Sequence, residues 1–153
     1  MMAKIGAAVA LGRSGQRAEA RETLAALWAQ AGDAFQRCTI AHYLADLQET
    51  TEAELGWDER ALAAVAGRID ERAEQYPHAP QVRAFLPSLH LNLADCHRRL
   101  GDTERAHQHL ATAREFLDAL PDDGYGELMR DAIRHVTDAL AAGSTEPLAS
   151  HPR

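Results

Sequence analysis

Apolar residues recur every three or four positions through most of this chain, the period of helices that each lay one face against a core. In the stretch 126–142 the stripe is Met129, Ala132, Ile133, Val136, Ala139 and Leu140, with Gly143 following as a C-terminal cap. Before it, Ala106, Leu110, Ala113, Phe116 and Leu117 form a stripe behind Asp102 as N-cap, ending at Leu120 and Pro121. The helix around 81–99 carries Val82, Phe85, Leu86, Leu89, Leu93, Cys96 and Leu100; Pro87 inside it predicts a kink or a displaced start. Near the N-terminus, Ile5, Ala8, Val9 and Leu11 give a short helix, and Ala20, Leu24, Leu27 and Ala31 a second.

The stretch 34–48 is apolar nearly all round, through Phe35, Cys38, Ile40, Ala41, Leu44, Ala45 and Leu47, which predicts a helix sandwiched between neighbours. A fourth helix starts at Thr51, where Thr51 and Glu54 read as a capping box, and runs through Leu55, Leu62, Val65, Ile69 and Ala73 to Tyr76. Gly56 and Gly67 weaken it without ending it. No run alternates as a strand does, so the pattern predicts seven helices and an all-α fold. One domain over 1–142 and a flexible tail over 143–153, where little can be buried, complete this division.

The composition narrows the function classes. With 153 residues, 46% of them apolar and 25% charged, the chain can bury an ordinary globular core. Sixteen Lys and Arg against 23 Asp and Glu leave a formal charge of −7, which argues against nucleic acid or an anionic membrane as partner. Two cysteines make no disulfide framework, and Met1–Arg13 lacks a charged leader with a cleavage site, so a cytoplasmic protein is expected. On parallel neighbouring helices Cys38 and Cys96 would differ in height by on the order of 13 Å, which predicts two buried free thiols.

A weak internal repeat relates the helix pairs. Leu44-Ala45-Asp46 is echoed by Leu93-Ala94-Asp95, with Ala7-Ala8 in the same place of the first helix. A turn or helix start follows at Gly15, Glu52 and Gly101; after the two glycines come Ala20 and Ala106, then Leu24 and Leu110. Small residues at matched positions let antiparallel helices approach closely. On these residues the chain resembles the tetratricopeptide repeat family, best over Leu89–Pro121 (LHLNLADCHRRLGDTERAHQHLATAREFLDALP). It departs from the family at Trp57, where a small residue belongs, and in the 37 and then 49 residues between matched alanines. With its HYLADLQ, PSLHLNLAD, RRLGD and LPDDGYG runs it also resembles small actinobacterial proteins of this type. The resemblance implies a right-handed stack of about three antiparallel helix hairpins, a TPR-like α-solenoid, with a C-terminal capping helix.

Two polar stripes are candidate sites. Thr39, His42, Asp46 and Glu49 share one side of the third helix, and Gln81, Ser88, Asn92, Asp95 and Arg99 one side of the fifth. By the family resemblance, Thr39, His42, Tyr43, Asp46, Ser88, Asn92, Asp95 and Arg99 match peptide-contacting positions, joined by Arg13 from the first helix. The resemblance therefore implies a non-catalytic module binding a peptide or protein segment in a concave groove, without cofactor or metal.

One alternative is a small-molecule-binding protein or enzyme in which His42 acts as base, Asp46 orients it, and Asn92, Asp95 and Arg99 hold substrate. Another is a structural homodimer sealed by an apolar flank. The plainer readings are a solvated Asp95–Arg99 ion pair worth a few tenths of a kcal/mol and a hydrogen-bonded His42–Asp46 pair. His90 and His97 read as packing residues, and His107 and His109 as solvated. Trp28 and Trp57 read as core unless Trp57 wedges helices apart or faces a partner.

Overall fold

The protein is described by a computed structural model over residues 1–66, 79–118 and 123–148; these form seven helices and no strand. The chain divides into two compact units, Met1–Ala79 and Pro80–Arg153.

In the first unit, α1 (Met2–Arg13) and α2 (Arg17–Gln30) form a hairpin, followed by α3 (Ala34–Asp46) and α4 (Thr51–Val65). Ile5, Ala8, Ala20, Leu24, Leu27, Ile40, Leu44 and Leu47 make its core. As its pattern predicts, α3 is sandwiched: it packs on α1, α2 and α4, and from Cys38 to Ala45 only Tyr43 is not fully buried. Asp33 caps α3 by accepting the Gln36 N–H at 2.8 Å. The cap of α4 lies one residue earlier than expected. Thr50, in extended backbone, accepts the Ala53 N–H at 3.1 Å, and Thr51 is already helical. Two adjacent threonines satisfy the same pattern, and only the backbone decides between them. The expected course of this helix through Gly67, Ile69 and Ala73 to Tyr76 lies outside the described residues.

The second unit holds α5 (Ala79–Arg99), α6 (Thr103–Asp118) and α7 (Gly124–Ala141). Leu91, Ala94, Ala106, Leu110, Ala113 and Leu117 join Met129, Ala132, Ile133, Val136 and Leu140 in one core. Pro87 lies inside α5 rather than at its start. Every residue from Leu86 to Arg98 is buried, so α5 is covered on all sides instead of keeping a wet face. Leu100, expected on the apolar stripe, is 39% exposed at the turn.

Three helix ends share one closure. After α1, the Gly15 N–H donates to Gly12 and the Gln16 N–H to Leu11; after α5, Gly101 donates to Arg98 and Asp102 to His97; after α7, Gly143 donates to Leu140 and Ser144 to Ala139. This double closure needs a left-handed residue, and the three glycines have φ of 96°, 82° and 72°. In two of them the next helix starts two residues later, which makes α1–α2 and α5–α6 hairpins of one design, with Ala8, Ala20, Ala94 and Ala106 all buried. The α3–α4 connection lacks a positive-φ glycine. The segment after Gly143 buries more than expected, for Ser144 and Glu146 carbonyls accept bonds from Arg98 and Leu148 packs on the core.

Candidate functional site

Of the expected groove residues, Thr39, His42, Tyr43 and Asp46 lie on α3 and Arg13 in the last turn of α1, all in the first unit. The Thr39 hydroxyl donates to the Phe35 carbonyl of its own helix at 2.8 Å. His42 is buried, its ring edge-on to Tyr43 at 5.3 Å, and Tyr43 packs against the core. Asp46 is half-buried where α3 ends. Its main-chain carbonyl accepts a bond from Arg17 at 2.8 Å, and that of Leu47 one from Arg21 at 3.3 Å, so two cations of α2 sit on the negative end of α3. Arg21 also pairs with Glu49 at 3.6 Å, and Arg13 is exposed.

Ser88, Asn92, Asp95 and Arg99 lie on α5 in the second unit, the first three buried and Arg99 half-buried. Asp95 is the centre of a charge cluster rather than half of a solvated pair. Its Oδ1 accepts from Arg98 Nε at 3.0 Å and Nη2 at 2.8 Å, and its Oδ2 from Arg99 Nε at 3.0 Å. Arg98 turns its remaining donors to the carbonyls of Ser144 at 2.7 Å and Glu146 at 2.8 Å. A buried guanidinium needs its charge matched and its N–H groups used; this one has a carboxylate against it and four of its five N–H groups engaged. Arg98 was not singled out in the sequence, because beside Arg99 it reads as a solvated end of a helix.

Three histidines of α5 and α6 meet in the second unit. His90 Nδ1 and His109 Nδ1 are 3.1 Å apart, so one donates and the other accepts. His97 stacks parallel to His109 at 5.5 Å with its Nδ1 3.9 Å from Asp102, and His90 stacks on Phe116 at 5.7 Å. His90 and His97 pack as expected; His109 is half-buried, not solvated, while His107 is exposed. Burial, and then the charge His109 would carry, lower His90 to about 4. His109 is lowered by burial, then by His97 and Arg105. Both rings are therefore neutral near pH 7. Cys38 and Cys96 are free and buried as expected, and burial pushes the Cys38 thiol up to about 12, far from a reactive thiolate.

The two tryptophans form the remaining constellation. Trp28 of α2 and Trp57 of α4 meet edge to face at 5.3 Å, both half-buried at the rim of the first core. The Arg37 guanidinium lies 4.0 Å over the Trp28 ring, and that of Arg60 4.4 Å over Trp57. Trp57 thus packs, partly buried, at the edge of the first core, with Asp58 and Ala61 of its own helix fully buried. Arg60 three residues after Trp57 was visible in the sequence as a helical neighbour, whereas nothing local pairs Trp28 with Trp57.

Comparison of the chain with known protein families, with characterised proteins and with solved structures finds no match.

Proposed function

We propose that this chain is a non-catalytic interaction module built on tetratricopeptide-like helix hairpins, taking a peptide or a segment of another protein. The observation that carries the reading is the shared design of α1–α2 and α5–α6: the same glycine closure, the same two-residue step to the next helix, and alanines buried at matched positions. Such hairpins hold their helices rigidly and leave their outer surfaces free to recognise a partner. Ser88, Asn92 and Asp95 are buried as they stand, and Asp95 is engaged with two arginines, so the module does not rest on them as an open polar groove.

Native mass spectrometry of gently purified protein tests this reading. The expected spectrum shows the bare chain or the chain with a polypeptide attached. A stoichiometric small molecule or metal, retained by the wild type and lost in His42→Ala, would overturn it in favour of a ligand-binding protein or enzyme.

A further inference from the structure

We infer that the face formed by Arg37, Trp28, Trp57 and Arg60 is a docking surface for an acidic peptide segment that carries an apolar side chain between its carboxylates. The inference rests on the interaction-module reading and gives it a site and a partner class.

The chain has seven more acids than bases, and several of its arginines are engaged by its own carboxylates: Arg21 by Glu49, Arg98 and Arg99 by Asp95, Arg105 by Asp102, Arg134 by Asp131. Arg37 and Arg60 differ. Among the described residues neither has a carboxylate within ion-pair distance, and each guanidinium lies on an indole instead. Stacking occupies the face of the guanidinium and leaves its N–H groups in plane for an acceptor. It also restricts a side chain that is otherwise rich in rotamers, so less entropy remains to be lost on binding. Both tryptophans are half-buried against the core, which fixes the platform and keeps part of each indole open.

Tryptophan and arginine are the side chains most enriched where binding energy concentrates. The three centre-to-centre steps of 4.0, 5.3 and 4.4 Å bound the separation of the two guanidiniums at about 14 Å. An extended peptide rises about 3.3 Å per residue, so about four residues span the two guanidiniums at that bound, and two carboxylates at about that spacing or closer can satisfy them. The residue between them meets the tryptophan pair, where an apolar or aromatic side chain fits.

The test is selection from a displayed random dodecapeptide library, followed by titration of one selected peptide, synthesised with blocked ends, into wild type and the double variant Arg37→Gln/Arg60→Gln. The chain has only two tryptophans, so all its indole emission comes from this face and reports the binding directly. The expected result is a selected pool in which Asp or Glu residues up to four apart flank an apolar residue. Binding by such a peptide should shift the indole emission, and its affinity should fall by about tenfold or more in the double variant. An unchanged thermal midpoint in that variant separates the loss from unfolding. Selected peptides without acidic bias, bound equally by wild type and variant, would overturn this face and leave the module. Recovery of no peptide would overturn both.

Discussion

The two units use arginine in opposite ways. In the second, Arg98 is 2% exposed, holds a buried carboxylate and reaches two carbonyls beyond α7. Four of its five N–H groups are spent on holding the fold. In the first, Arg37 and Arg60 rest on tryptophans at the rim of a core, and among the described residues no carboxylate lies within ion-pair distance of either. The charge is the same, but one pair of positions is architecture and the other is surface held ready. A charged residue of a polar stripe is a candidate for binding when its own chain has left its hydrogen bonds open, and Asp95 with its arginines fails that condition.

The largest effect is expected at Asp95. Replacing Asp95 by Ala leaves two guanidiniums without their carboxylate in a buried setting, and should cost about 3–5 kcal/mol by chemical denaturation. A loss under about 1 kcal/mol would make the cluster an ordinary helix ion pair. The next effect is that of pH. His90 has a folded-state value of about 4, below the 6.5 of an exposed imidazole. The unfolded chain therefore binds more protons between these values. The contribution of His90 is full above about 6.5 and is lost as the pH falls toward 4, a change of roughly 3 kcal/mol. His109, lowered in the same direction, adds to the loss, with His97, Asp102 and Arg105 the other titratable or charged groups at the stack. Chemical denaturation of His90→Leu across this range should show a flatter profile than wild type; an equal slope would remove the histidine stack as its cause.

Smaller effects sharpen the claim that hairpins of one design occur in both units. Gly101 has φ of 82° with open space around it, so Gly101→Ala meets no neighbour and pays only backbone strain, about 1 kcal/mol. Gly56, inside α4 and equally open, should respond with the opposite sign: Gly56→Ala gains about 0.5–1 kcal/mol in thermal or chemical unfolding. A shared sign would contradict the assignment of one glycine to a left-handed closure and the other to a helix.

Much of this was legible in the sequence, and the reasons are specific. In α7 the residues Met129, Ala132, Ile133, Val136 and Leu140 are all buried as their period predicts, because a helix with one covered face writes that face into its spacing. Gly15, Gly101 and Gly143 are left-handed because no other residue closes such a helix end at so little strain. In α5 the period misleads. Leu91 and Ala94, off the expected stripe, face the core of the second unit, and His90, Asn92 and Asp95 are covered as well. Helical spacing tells which residues share a side, not how many sides are covered. The histidine stack and the tryptophan pair were hidden for another reason: His90 and His109, or Trp28 and Trp57, meet only through packing between helices, and neither separation carries a local signal. The Asp95–Arg99 spacing was visible, but Arg98 decides its environment.

On the docking proposal, the Trp28–Trp57 face carries positive charge left open on a chain whose net charge is −7. Stern–Volmer quenching of the intrinsic tryptophan emission by iodide and by caesium, at low and matched ionic strength, reads this most directly. The account predicts that iodide quenches more strongly than caesium relative to free tryptophan, against the net charge, and that Arg37→Gln/Arg60→Gln reverses the order. Stronger relative quenching by caesium in the wild type would show that the field at the indoles follows the net charge, and would contradict the account.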